Sequence, residues 1–147
     1  MMSEDIQQTA LKMQIVATRL LRLARSAHGD YRLTSAQYSA LSVLYERGPL
    51  ALVELARAER VAHPTMSRIV IGLAKIGAVS RPVQETDRRQ RAVALTREGR
   101  ALYERIAGNR TAVMAAVLGR LTPSARQEVL DVVTSVVTEI EGRDGRS

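Results

Sequence analysis

Between Gln84 and Arg91 the chain carries three arginines, Arg88, Arg89 and Arg91, against two acids, Glu85 and Asp87. Guanidiniums gathered on one short loop suit an anionic partner, because each offers a planar fork of donors that matches a phosphate or the edge of a guanine. Asp87 stands two residues before Arg89, close enough to brace that side chain with a bidentate ion pair and hold it outward. Upstream, a second polar set recurs at helical spacing. At about 100° per residue, Arg68, Gly72 and Lys75 fall on one side of a helix, Thr65 and Ser67 flank them, and Met66, Ile69, Val70 and Leu73 fall opposite. One face packs and the other is left to touch a partner. The major groove of duplex DNA is wide enough to admit one such cation-bearing helix.

Those two sets need a frame, and the stretch from Leu52 to Gly99 supplies it. Periodicity predicts a short helix over 53–58, a tight turn over 59–62, the polar-faced helix to Gly77, then strands over 79–83 and 92–95 joined by the arginine loop. This is the plan of a winged helix, mainly α with a small β wing. Pro82 demands an edge position for its strand, which a hairpin open on one side provides.

The run DRRQRAVALTREG, with Asp87, Arg88, Arg89, Val93, Leu95, Thr96 and Gly99, resembles the wing and wing-to-helix junction of the MarR (multiple antibiotic resistance regulator) family. Pro64, Thr65, Ser67, Arg68, Leu73 and Gly77 are similar to that family's recognition helix, and the likeness in layout extends over essentially the whole chain. The resemblance implies a dimeric, double-stranded-DNA-binding transcription regulator, most often a repressor, responsive to a small ligand seated between the dimerising helices and the winged helix. It also implies a small third strand at 50–52. Two departures stand out. The family usually has Ser or Thr near the start of the recognition helix, whereas this chain has Ala62 and His63 before Pro64, leaving the cap without a side chain. Ile71-Gly72 stands where the family often has an acidic or polar residue; either the pair meets a thymine methyl and lets the helix sit deep in the groove, or it is neutral drift.

On this reading Ser67 and Arg68 reach base edges, with Pro64, Thr65 and Lys75 along the same helix. Arg89, braced by Asp87, enters a minor groove, and Arg88 and Arg91 rest on phosphates. An aromatic acid is expected at Arg19 or Arg22 with Tyr38 or Tyr45, since a chain without Phe or Trp has only its four tyrosines to stack on an aromatic ring.

The flanks predict helices. Ile6, Met13, Val16, Leu20 and Leu21 recur at helical spacing over about 5–28, with Lys12, Arg19, Arg22 and Arg25 between them. Thr34 with Gln37 forms a capping box for a helix ending at Gly48-Pro49 and striped by Tyr38, Leu41, Leu44 and Tyr45. Thr96 caps a long helix in which Gly108-Asn109 predicts a kink or frayed turn. Thr122-Pro123 opens the last helix, which stops near Gly142 and carries Val129, Leu130, Val132, Val133, Val136, Val137 and Ile140 over a wide arc. That arc and the N-terminal stripe exceed what one small domain can cover, which favours a twofold homodimer. The expected division is an N-terminal dimerisation helix (1–33), a winged helix-turn-helix (34–99) and C-terminal dimerisation helices (100–147).

Composition agrees with an acidic partner. The chain has 147 residues, 22 basic and 15 acidic, for a net charge of +7. Only Lys12 and Lys75 are lysines, a preference that suits phosphate and guanine recognition and equally a GC-rich genome. Without cysteine there are no disulfides, thiolate metal sites or thiol-based sensing. With only His28 and His63 and no glycine-rich phosphate loop, no nucleophile, metal cluster or cofactor motif is found, so neither an enzyme nor a cofactor is expected. The opening MMSEDIQQ lacks the features of a signal peptide, no apolar run approaches a membrane span, and a cytoplasmic location is expected. The alternative is a winged helix that binds protein without specific DNA binding; counterion release on random duplex DNA separates the two. RNA binding lacks the aromatic stacking platforms it usually needs.

Overall fold

The structure, a computed structural model, describes residues 4–26, 33–80 and 92–144. The elements are α1 (Glu4–Ser26), α2 (Ser35–Arg47), β1 (Leu50–Ala51), α3 (Leu52–Ala58), α4 (His63–Lys75), β2 (Val79–Ser80), β3 (Ala92–Leu95), α5 (Arg97–Leu118) and α6 (Pro123–Asp144). The mainly helical winged-helix arrangement expected from the sequence is present.

Local chemistry sets the boundaries. The Gln37 N–H donates to Thr34 Oγ1 at 3.2 Å and the Thr34 N–H donates to Gln37 Oε1 at 2.9 Å, so the capping box fixes the start of α2. Gly48, at φ +80°, ends that helix with its N–H on the Leu44 carbonyl. Helix α3 begins directly after β1, where the Glu54 carboxylate accepts the Ala51 N–H at 2.9 Å. The turn into α4 holds Arg60 at φ +53°, a left-handed conformation unfavourable for a residue with a Cβ. Helix α4 starts without a side-chain cap, as Ala62 foretold, and the Ala62 carbonyl instead accepts the N–H groups of Thr65 and Met66. At its other end Gly77 takes φ +73° and the Ala78 N–H reaches back to the Leu73 carbonyl.

The sheet has the order β1-β3-β2, antiparallel throughout, with Leu50 opposite Val93 and Val79 opposite Leu95. Strand β2 is therefore an edge; Pro82 and the rest of the expected strand lie outside the described residues. The core gathers Leu41 and Leu44 from α2, Leu55 from α3, Met66, Val70 and Leu73 from α4, Val93 from β3 and Ile106 from α5. Burial of such side chains is the main stabilising contribution.

At the base of the wing, the Thr96 hydroxyl donates to the Gly77 carbonyl at 2.6 Å and accepts the Gly99 N–H at 2.9 Å. A Cβ on Gly99 would collide with the Ala78 carbonyl oxygen, so only glycine lets α5 start this close to the end of α4.

Helix α5 corrects one expectation: it runs through Gly108-Asn109 without interruption. A glycine inside a helix costs about 1 kcal/mol, too little to outweigh the flanking turns that a break would forfeit. The chain forms two compact units, Met1–Arg110 and Thr111–Ser147. In the second, the Thr122 hydroxyl accepts the Ala125 N–H at 3.3 Å and Pro123 takes the first helical position of α6. No residue of α1 is buried, and the apolar side chains of α6 are largely exposed. No helix among the described residues is long and apolar enough to cross a membrane.

Candidate nucleic-acid interface

Helix α4 is held from beneath by Met66, Val70 and Leu73, all buried, with Ile69 half-buried beside them. The packing of α3, α2 and β2 against it anchors the helix. On the other side Pro64, Thr65, Arg68 and Lys75 are exposed, Ser67 is half-buried, and His63 is exposed at the first turn. These residues share one element and stand ready for contact. Asp87, Arg88, Arg89 and Arg91, expected on the wing, lie outside the described residues.

Gly72 departs from its expected place. It is not on the open face with Arg68 and Lys75, because a Cβ there would come within 2.7 Å of Gln37 Nε2. Helix α2 packs against α4 as well as α3 does, and Gly72 lies against Gln37 of the first turn of α2. The missing side chain makes room for the amide whose oxygen completes the capping box of α2.

A second cluster joins α2 to the first half of α5. Tyr38 and Tyr103 stack with ring centroids 5.3 Å apart, and Tyr45 lies 4.6 Å from Tyr103. The Arg110 guanidinium sits 3.6 Å from the Tyr38 centroid, and that of Arg100 lies 4.8 Å from the Tyr45 centroid. The order is Arg110, Tyr38, Tyr103, Tyr45, Arg100, a column of rings capped by a cation at each end. Each ring pair is worth about 0.5–1.5 kcal/mol and each cation contact about 0.5–1 kcal/mol at a partly exposed site. Ser42 and the Tyr103 hydroxyl lie at hydrogen-bond distance, 3.1 Å, and the Tyr45 hydroxyl donates to Glu104 at 3.2 Å.

Beside Tyr38 opens a cavity of about 380 Å³, lined by Leu21, Arg25, Ser35, Tyr38, Ser39, Ser42 and Arg110. Loss of hydration pushes the Tyr38 hydroxyl above its usual range, with Tyr103 adding to the rise and Arg110 opposing it. Burial likewise lowers the Arg110 pKa, and the like charge of Arg25 adds to that while the tyrosines oppose it. The guanidiniums of Arg25 and Arg110, the Tyr38 ring and the hydroxyls of Ser35, Ser39 and Ser42 line one hollow.

The expected ligand set is thus only partly assembled. Tyr38 lines the cavity, whereas Tyr45 is occupied in the ring column. Arg19 and Arg22 line a separate shallow groove with Leu11, Gln14, Ile15 and Thr18 on α1. Arg25, in the last turn of α1, lines the cavity instead of them, and its Nη1 donates to Ser35 Oγ at 3.3 Å. Arg25, Arg110, Tyr103 and the serines escaped sequence reasoning. One signal was available: Tyr38 and Tyr45, like Tyr103 and Arg110, are seven residues apart, which puts each pair on one helix face.

Comparison with known proteins agrees with this geometry. The model of the MarR family matches residues 33–90, a span that holds α2, β1, α3, α4 and β2. An uncharacterised helix-turn-helix transcriptional regulator of Mycobacterium bovis is 29% identical over 133 residues, covering 88% of this chain and 93% of the relative. A MarR family protein from Bacillus stearothermophilus superposes with a TM-score of 0.83 at 22% identity, covering 96% of this chain and 99% of the other. A Mycobacterium tuberculosis MarR family protein, solved in complex with DNA, gives a TM-score of 0.72 at 28% identity over 86% of this chain and 95% of its own.

Proposed function

Because this chain belongs to the MarR family of transcription regulators, we propose that it acts as a homodimer that represses by occupying a pseudo-palindromic operator. One observation carries the reading: α4 buries its apolar side on its own domain and leaves Thr65, Arg68 and Lys75 in solvent, within the segment matched by the family. Residues 34–99 form the reading unit, and 1–33 and 100–147 supply the dimer contacts. The two α4 helices of the dimer enter successive major grooves about 34 Å apart. Ser67 and Arg68 reach base edges, with Pro64, Thr65 and Lys75 supporting them. Arg89, braced by Asp87, probes the flanking minor groove, while Arg88 and Arg91 rest on phosphates. The exposed apolar faces of α1 and of α6 support the dimer, since faces this apolar are uncommon on a monomer. A protein acting on chromosomal DNA works in the cytoplasm.

Release comes from a small aromatic acid in the cavity beside Tyr38, its carboxylate between Arg25 and Arg110. Such a ligand shifts the operator equilibrium only by its differential affinity for the two arrangements of the reading helices.

Gel-shift titration on an operator selected from genomic fragments tests the reading. Arg68→Ala relaxes sequence preference, by about 1–3 kcal/mol for a lost guanine contact. Arg88→Ala weakens all duplexes alike and flattens the salt dependence by about one unit. Wild-type affinity and selectivity in both variants would overturn it.

A further inference from the structure

By spacing, Gly72 belongs to the stripe of Thr65, Arg68 and Lys75, since positions i, i+3, i+7 and i+10 share one side of a helix. The other three are exposed, whereas Gly72 is half-buried, and the group lying over it comes from another helix. A Cβ on Gly72 would stand 2.7 Å from Gln37 Nε2 and 3.9 Å from Gln37 Cδ. The Gln37 amide of α2 thus occupies the place where a side chain of residue 72 would project, between Arg68 and Lys75 along α4. Its orientation is fixed. Gln37 Oε1 accepts the Thr34 N–H at 2.9 Å, which leaves the NH2 end of the amide over Gly72. Among the described residues no hydrogen bond runs from that Nε2, so both of its N–H donors remain available.

Resting on the reading of α4 as the DNA-contacting helix, we propose that Gln37 is a further DNA contact, donating from Nε2 to a phosphate oxygen beside the groove that α4 enters. Position favours phosphate over a base edge. In a helix-turn-helix the N-terminal residues of the reading helix meet the bases, and a preceding helix crosses the backbone. Gly72 lies in the second half of α4, and Gln37 stands on a preceding helix packed against it. The capping box holds the amide in place before DNA arrives, so little side-chain freedom is lost on binding. Glycine at 72 is what admits it, because any side chain there displaces the NH2 group.

Gel-shift titration of full-length Gln37→Glu tests this, using the selected operator, a random duplex, and operators that each carry one neutral methylphosphonate linkage. Glutamate still accepts the Thr34 N–H, so the capping box and the melting temperature are kept, but it presents an oxygen where the donor stood. Binding to both unmodified duplexes falls by about tenfold or more, the loss of a hydrogen bond to a charged group. At one linkage in each half-site the response reverses sign: there the methylphosphonate weakens the parent protein and strengthens Gln37→Glu. Gly72→Ala lowers affinity for both duplexes by a like factor and leaves the salt dependence unchanged, because an amide contact releases no counterion. Parent-like binding by Gln37→Glu, while Arg68→Ala relaxes sequence preference, overturns the Gln37 contact and leaves the reading of α4 standing. A loss with no linkage that reverses also overturns it, because it is then the general repulsion of an added charge. A loss confined to the operator overturns the phosphate assignment. Absence of duplex binding by the parent protein overturns the reading of α4 and this proposal together.

Discussion

The same amphipathic pattern meets opposite ends in two parts of this molecule. In α4 the apolar stripe of Met66, Val70 and Leu73 is wholly covered by its own domain. In α1 nothing is buried, and Leu11, Val16, Leu20 and Leu21 remain open; within α6, Leu130, Val132 and Val133 are about half exposed or more. Periodicity tells which face of a helix wants cover but not who supplies it. The exposed side of α4 carries Thr65, Arg68 and Lys75, whereas the exposed sides of the terminal helices carry branched aliphatics.

Four substitutions or conditions would break or sharpen that contrast. Val133→Asp on α6 is expected to have the largest effect, since each copy of the dimer would bury an unpaired charge at about 3–5 kcal/mol. Analytical ultracentrifugation should show monomers whose helical content is unchanged; a persistent dimer would move the interface elsewhere. Leu73→Ala acts on the covered region instead, removing about 2–5 kcal/mol of stability in urea unfolding through the cavity it leaves. Arg60→Gly should raise stability by about 1 kcal/mol, because glycine accepts φ +53° without strain. A lower melting temperature would show that the Arg60 side chain contributes more than its backbone costs.

The smallest effect concerns pH. Tyr38 has its folded-state pKa raised, chiefly by lost hydration, so folding favours the protonated phenol. The contribution is complete below the ordinary tyrosine value of about 10 and is lost as pH rises through the higher folded value. Thermal melts at pH 9 and pH 11 should therefore show Tyr38→Phe losing less stability than the parent chain. Equal losses would place the alkaline sensitivity at another group.

Helix ends were legible because each is set by residues close in sequence: Thr34 with Gln37, Gly48-Pro49, Gly77, Thr96 and Thr122-Pro123 all act where expected, whereas Leu52, expected at the end of a strand over 50–52, opens α3. The apolar side of α4 was legible for the same reason. Gly72 was placed on the open face because helical periodicity does not show that Gln37 of α2 lies over it. The cavity was harder still. Its arginines come from α1 and α5, and only the packing of distant helices brings Arg25 and Arg110 to the same ring. No local pattern holds that information, although the seven-residue spacings on α2 and α5 hint that two faces should meet.

The junction at Gly99 has a mechanical meaning. Since α5 touches the Ala78 backbone with no side chain between, and Thr96 ties the same corner by two hydrogen bonds, its first turn cannot slide on the end of α4. From Arg97 to Arg110 the helix is an arm about 20 Å long, fixed at the corner beside the end of α4. A tilt of about 5° about that corner would move its far end by roughly 2 Å, so a displacement the size of one side-chain movement at the far end becomes only a small rotation at the corner.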